Sequence, residues 1–253
     1  MTKIRAHLLL AAALPLALGL AACGKKDDAA AGGAPDVHST PLAKVAAPAG
    51  KQWSDVVSKT AEGGYRMGNP DAPVKLIEFG ALSCSHCAEF ADKGSARLRD
   101  DYVASGRVSY EFRPFMLNVF DIAATLLATC GSPDAVIPLS DQFWAWQPNL
   151  YTNLDSKKDQ VQAAGNLPPE QRFAALAELG GMTDFFAARG ISKDQAKACL
   201  ANTAAATQLA KETQDAGDKY GITGTPTFYL NGKNIGSLTW EGLEPILQDA
   251  GAR

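Results

Sequence analysis

Histidine and cysteine are scarce in this chain: 253 residues hold three of the first and five of the second. A site built from several copies of either therefore has few ways to form. Positive charge is thin as well. Twenty-four Lys and Arg against 27 Asp and Glu give a formal charge of -3, and no basic block follows the first few residues. That removes the electrostatic footprint of a nucleic-acid binder. No internal repeat is found, and no apolar run reaches the roughly 20 residues that a membrane helix needs. What is present is ordinary for a globular protein, with 46% hydrophobic and 20% charged residues. The length suits one enlarged domain or two small ones.

The longest apolar run, Leu8 to Leu20, is interrupted by Pro15 and Gly19 and preceded by Lys3 and Arg5. A positive start, a short apolar stretch and small residues at its end predict a secretory signal peptide over residues 1–22. A membrane anchor helix is the alternative. Leu20-Ala21-Ala22-Cys23 resembles the bacterial lipoprotein cleavage box, which implies that Cys23 becomes the first mature residue and carries lipid. Plain small-residue cleavage, with Cys23 lost or left as a spare thiol, is the other reading. Losing Lys3 and Arg5 would move the formal charge from -3 to -5. Residues 23–60 are expected to be a lipid-anchored flexible linker. Gly24 to about Gly50 is rich in Ala, Gly, Pro, Asp and Lys, and buries too little to offset its ordering entropy. His38 sits there as a solvated side chain, and Trp53 to Lys59 is expected to be a short helix.

Beyond the linker, Asn69-Pro70-Asp71-Ala72-Pro73 is a turn cluster. Val74 to Gly80 is nearly continuously apolar, as in a central strand covered on both faces. Ser85 to about Asp101 has helical spacing, and Val108 to Phe112 alternates as a strand. Strand, helix, strand implies parallel pairing. From Asn118 to about Lys219 the composition turns to Ala, Leu, Gln and Lys and reads as several helices. Ser192 and Gln195 fit a capping box, Pro133 fits a first helical position, and Trp144 and Trp146 are expected to pack. Asn231-Gly232 between Thr227–Leu230 and Asn234-Ile235 signals a hairpin, and Trp240 to Ala250 reads as a closing helix.

The chemistry concentrates in Cys84-Ser85-His86-Cys87. Two cysteines with two residues between them at a helix start share one side of the first turn. Cys84 lies where unpaired N–H groups and the helix dipole favour an anion, so its thiol should be acidic. His86, between the sulfurs, could donate a hydrogen bond or charge to that thiolate. Cys87 is the natural resolving thiol, more buried and less acidic. A stabilised Cys84 thiolate stabilises the reduced form and makes the disulfide a stronger oxidant. Half of a zinc site is the alternative, but Cys130 and Cys199 are single and far apart, and no second pair exists. A purely structural disulfide is another, although so small a loop gains little chain-entropy stabilisation. Glu78 in the apolar strand would be costly to bury as an anion, so its pKa should rise and it could exchange a proton with Cys87. A strand-end glutamate facing water is the bland reading. Pro226, after Thr225 and before a strand, could hold a cis bond, although trans is the default.

Taken in order, Met67-Gly68-Asn69-Pro70-Asp71-Ala72-Pro73, the strand with Glu78, Cys84-Ser85-His86-Cys87 and Thr225-Pro226-Thr227-Phe228 resemble the DsbA-type branch of the thioredoxin superfamily. The likeness runs from about Gly64 to the C-terminus. It implies an α/β thioredoxin fold formed by residues 61–117 and 218–253, with an inserted helical domain at 118–217. It implies Cys84 as nucleophile, Cys87 as resolving thiol, Glu78 as buried acid, and Thr225 with cis-Pro226 as the substrate-binding turn. Some relatives carry a second disulfide in the insertion, which points to a structural Cys130–Cys199 bond worth about 2–4 kcal/mol; two buried free thiols are the alternative. Ser85-His86 departs from the Pro-His of the best-known oxidases, and Thr225 in place of valine is similar to the isomerase branch.

The resemblance implies a periplasmic, monomeric thiol–disulfide oxidoreductase that needs no metal or other cofactor and puts disulfides into reduced or partly oxidised exported proteins. A membrane redox partner would reoxidise it, and a lipid on Cys23 would hold it to the membrane. An isomerase or reductase for dedicated substrates is the second reading. A binding or chaperone lipoprotein on the same scaffold is the third.

Overall fold

A computed structural model describes residues 40–253. The expected signal peptide, Cys23, His38 and the first part of the linker lie outside the described residues.

Six strands form one sheet: β1 (Val57–Lys59), β2 (Tyr65–Gly68), β3 (Val74–Gly80), β4 (Val108–Pro114), β5 (Thr227–Leu230) and β6 (Lys233–Gly236), in spatial order β1-β2-β4-β3-β5-β6. Only β3 and β4 run parallel; every other neighbour is antiparallel. The parallel pair follows from the helix between them, α1 (Ser85–Phe90), which continues as π-helical turns through Ala91–Ser95 and Leu98–Val103. β3 is central and covered on both faces, as its apolar run predicts. Leu76 and Glu78 face the main core, where Phe90 and Phe228 meet with ring centroids 4.7 Å apart. Phe79 faces a smaller cluster with Phe115, Ile222 and Tyr229. The α1 extension packs tightly on the last helix, α9 (Trp240–Asp249): a Cβ on Gly94 would lie 2.5 Å from the Trp240 ring, so only glycine allows this approach.

Between β4 and β5 the chain is all-helical among the described residues. The elements are α2 (Val119–Ala128), α3 (Val136–Ser156), α4 (Lys158–Gly165), α5 (Pro169–Gly180), α6 (Met182–Ala187), α7 (Lys193–Leu200) and α8 (Thr203–Tyr220). The class is thus α/β with a helical insertion. Ser192 and Gln195 form the capping box of α7, and Pro133 begins a 3-10 turn leading into α3. Cys130 after α2 and Cys199 in α7 are joined by a disulfide, 69 residues apart in sequence. A loop of that length is where a crosslink restricts the unfolded chain most.

Two expectations need correction. The flexible linker does not extend to residue 60. Leu42 N donates to Gly251 O, Val45 N to Ser105 O, and Arg107 Nε to Leu42 O, so these backbone groups pair with the body rather than with water. Trp53 is buried and donates to Val45 O. Nor do residues 53–59 form one helix. Trp53–Asp55 is a single 3-10 turn, after which Val57 pairs with Met67 as β1. Two consecutive β-branched residues, Val56 and Val57, favour that extended continuation. The strap enters the body beside Arg107, at the start of β4 and the end of the sheet opposite Cys84.

Candidate active site

The site forms where β3 ends and α1 begins. Cys84 is the N-cap of α1, with extended backbone, and its sulfur accepts from Cys87 N at 3.4 Å. As a thiol it donates to the Thr225 carbonyl oxygen at 3.2 Å. The Thr225–Pro226 peptide bond is cis, and β5 follows directly. The structure therefore brings Cys84, Cys87 and Thr225 together across 141 residues of sequence.

The two sulfurs are electrostatically unequal. A hydrogen bond from the Cys87 side chain, working against burial, is the main cause that holds the Cys84 thiol down to about 5. The Thr225 side chain adds to the lowering, as do the backbone N–H groups of Cys87 and His86. Burial pushes the Cys87 thiol well up, and the charges of Glu78 and Cys84 push it further. Cys87 is fully buried, whereas Cys84 keeps a small exposed area. The His86 ring does not play the part expected of it. It is exposed and makes no hydrogen bond to Cys84; its contribution comes through the backbone.

Glu78 is completely buried, which excludes the strand-end reading. One carboxyl oxygen accepts from the Tyr110 hydroxyl at 2.7 Å, and the other has no partner. Burial raises its pKa to about 8 despite that hydrogen bond, and Asp141 adds to the rise. Asp141, itself raised to about 6 by burial, accepts from Ser95. Space for the Glu78 carboxyl comes from Gly80, where a Cβ would lie 2.9 Å from its unpartnered oxygen. Glu78 thus holds a pKa raised toward neutrality within electrostatic range of Cys87.

Sequence reasoning missed how the turn 81–84 is held. Asp121, fully buried, accepts from Ser83 N at 2.7 Å, Ser83 Oγ at 2.9 Å, Leu117 N at 3.0 Å and Asn118 N at 3.2 Å. Asn118 returns the favour by capping α2 and donating to Ser83 Oγ. From α3, Trp144 Nε1 donates to Ala81 O, Gln147 Nε2 to Leu82 O and Cys84 O, and the Tyr151 hydroxyl to Ser83 O. Trp144 also packs edge-on against Phe112, as a packing residue would. The available signal was Asn118-Val119-Phe120-Asp121, a capping-box pattern at the head of the helical block. Among the described residues, no three His, Cys, Asp or Glu side chains group as metal ligands.

The pKa asymmetry has a direct consequence. Alkylation of Cys84 in the reduced protein should rise with pH through a midpoint near 5, while Cys87 stays unreactive up to neutral pH. Because the folded Cys84 pKa is depressed, its thiolate stabilises the reduced form above the ordinary thiol pKa, and that stabilisation is lost as pH falls through about 5. Peptide-mapped alkylation profiles check this; a Cys84 midpoint near the free-thiol value of about 8.5 contradicts it.

A family model described as Thioredoxin matches residues 60–249. A solved protein-disulfide isomerase from Novosphingobium aromaticivorans superposes with a TM-score of 0.70 at 30% identity, covering 74% of this chain and 97% of that one. Disulfide bond formation protein D of Bacillus subtilis is 27% identical over 187 residues, 73% of this chain and 76% of its own. A Rickettsia conorii relative is 23% identical over 202 residues, and the match takes in only 63% of its length. The alpha-DsbA1 structure of Wolbachia pipientis shares the fold, with a TM-score of 0.59 at 18% identity. With the family model matched from before β2 to the end of α9, this chain belongs to the thioredoxin family.

Proposed function

We propose that the protein is a thiol–disulfide oxidoreductase that forms disulfides in exported proteins. The observation that carries this reading is the unequal pair: an acidic Cys84 beside a buried, protonated Cys87. In the oxidised enzyme a substrate thiolate attacks the Cys84 sulfur. The Cys84–Cys87 bond breaks, a mixed disulfide forms, and Cys87 leaves with the electron pair. Glu78, protonated near neutral pH, supplies the proton that Cys87 takes up. A second substrate thiolate then attacks the substrate sulfur, and Cys84 departs as a stabilised thiolate. A good leaving group speeds that last step. The substrate is oxidised by two electrons and the enzyme pair is reduced, so a membrane redox partner must take those electrons to restore the disulfide. Thr225 and Pro226 border the sulfur, where an extended substrate chain can pair with the Thr225 backbone.

An isomerase is the second reading. It is supported by threonine before Pro226 and by the likeness to the protein named an isomerase, of which this chain covers nearly the whole length. The Cys130–Cys199 bond, away from this pair, serves the insertion's stability and accords with an oxidising compartment. Export to the periplasm and lipid attachment at Cys23 rest on Leu20-Ala21-Ala22-Cys23.

Oxidation of a reduced, unfolded test protein should be lost in Cys84→Ala, whereas Cys87→Ala whose Cys84 has first been activated as a disulfide with thionitrobenzoate should release thionitrobenzoate to a substrate thiolate and be seen as a mixed disulfide with that substrate on non-reducing gels. Retained oxidation by Cys84→Ala contradicts the assignment. Separately, Cys23→Ser should move the protein from the membrane fraction to the soluble one; unchanged partitioning argues against the lipid.

A further inference from the structure

Beside the redox pair lies a groove of about 710 Å³ between the start of α2, the end of α3 and α4. It opens at Ser83, the residue before Cys84, and its walls are mainly apolar: Phe120, Tyr151, Leu154 and Val161 over a buried Leu150. Large apolar side chains are rarely exposed on this protein. Among the described residues only Val45, Leu117 and Tyr151 are, and Tyr151 lines the groove, while Leu117 precedes Asn118, another lining residue. The charges on the rim, Lys158 and Asp155, pair with each other at 3.1 Å, leaving little charge preference. An apolar concavity with a few polar groups at one end has the form of a recognition site.

What would occupy it follows from the chemistry of the pair, and so rests on the redox reading above. A mixed disulfide holds the substrate cysteine Cα within about 7 Å of the Cys84 Cα. An extended chain advances about 3.3 Å per residue. The residues flanking a substrate cysteine must therefore cross the surface around Cys84 within a few positions. On one side they meet Thr225; on the other they meet Ser83 and the groove. A folded partner presenting a flat face would not reach into it, whereas an unfolded segment can.

We propose that the α2–α3–α4 groove binds an apolar side chain lying within about three positions of the substrate cysteine, so that the protein selects unfolded segments in which a cysteine neighbours a large apolar residue. Tyr151 couples the two parts, since its ring lines the groove while its hydroxyl holds the Ser83 carbonyl. The groove contributes binding and takes no part in the bond exchange.

The test uses the oxidised full chain and synthetic two-cysteine peptides in a Gly/Ser background, with one leucine moved through the positions flanking a cysteine. Dithiothreitol serves as a small dithiol without side chains to bind. At least one leucine position should raise the rate of reduction of Cys84–Cys87 by about tenfold over the all-Gly/Ser peptide, the effect of burying one such side chain. Val161→Asp, on the partly exposed groove wall, should erase that gain and leave the dithiothreitol rate unchanged, while Val161→Leu should keep it. No gain from any leucine, or a gain that survives Val161→Asp, overturns the proposal. So does a concentration-dependent dimer that Val161→Asp dissolves, which would assign the groove to a second copy. Failure of dithiothreitol itself to reduce the pair would count against the redox reading instead.

Discussion

The rest of the structure depends on donors converging on the Cys84 sulfur. A thiolate cannot persist in so buried a position without them. Here the Cys87 side chain and N–H, the His86 N–H and the Thr225 side chain supply the stabilisation from two chain segments far apart in sequence. The Cys87 and His86 N–H groups come with any helix that starts at Cys84. Thr225 does not, and its position follows from the sheet order. Antiparallel pairing of β5 beside β3 places Thr225, just ahead of β5, at the end of β3 where Cys84 begins its helix.

Such convergence is useful only if the turn from Gly80 to Cys84 is held firmly, and that is the insertion's contribution. Asp121, Trp144, Gln147 and Tyr151 together engage the backbone of every residue from Ala81 to Cys84. Breaking such buried bonds leaves orphaned groups whose desolvation costs about 1–3 kcal/mol each. The Cys130–Cys199 bond ties α7 to the end of α2, the helix that carries Asp121. Rigidity of the insertion is thereby linked to the geometry of the sulfur. Beneath the turn, Glu78 and Tyr110 form a buried polar pair that leaves one Glu78 oxygen without a partner, as the proposed exchange of a proton with Cys87 requires.

How much of this was legible in the sequence differs from residue to residue. Cys84, Cys87, Glu78 and Thr225-Pro226 stand out because each is a residue type that its local pattern does not require: thiols at a helix start, an acid in an apolar strand, a proline opening a strand. The structure brings these together. Asp121 was signalled only as part of a capping-box pattern, and Gln147 and Tyr151 not at all, because polar residues on amphipathic helices are usually solvated and only tertiary packing turns them inward. His86 was misjudged because a side chain at that position of the first turn points to solvent even though its backbone faces the sulfur. The strap from residue 40 was misread for a related reason. Its composition is that of a linker, and only Leu42, Val45 and Trp53 carry the contacts that dock it.

The central claim is that stabilising the Cys84 thiolate makes the Cys84–Cys87 disulfide oxidising. The reduction potential of that couple, measured by equilibration with glutathione, tests it most directly. The account predicts a potential well above the value of about -270 mV that marks a reducing thioredoxin. A potential at or below that value would contradict it.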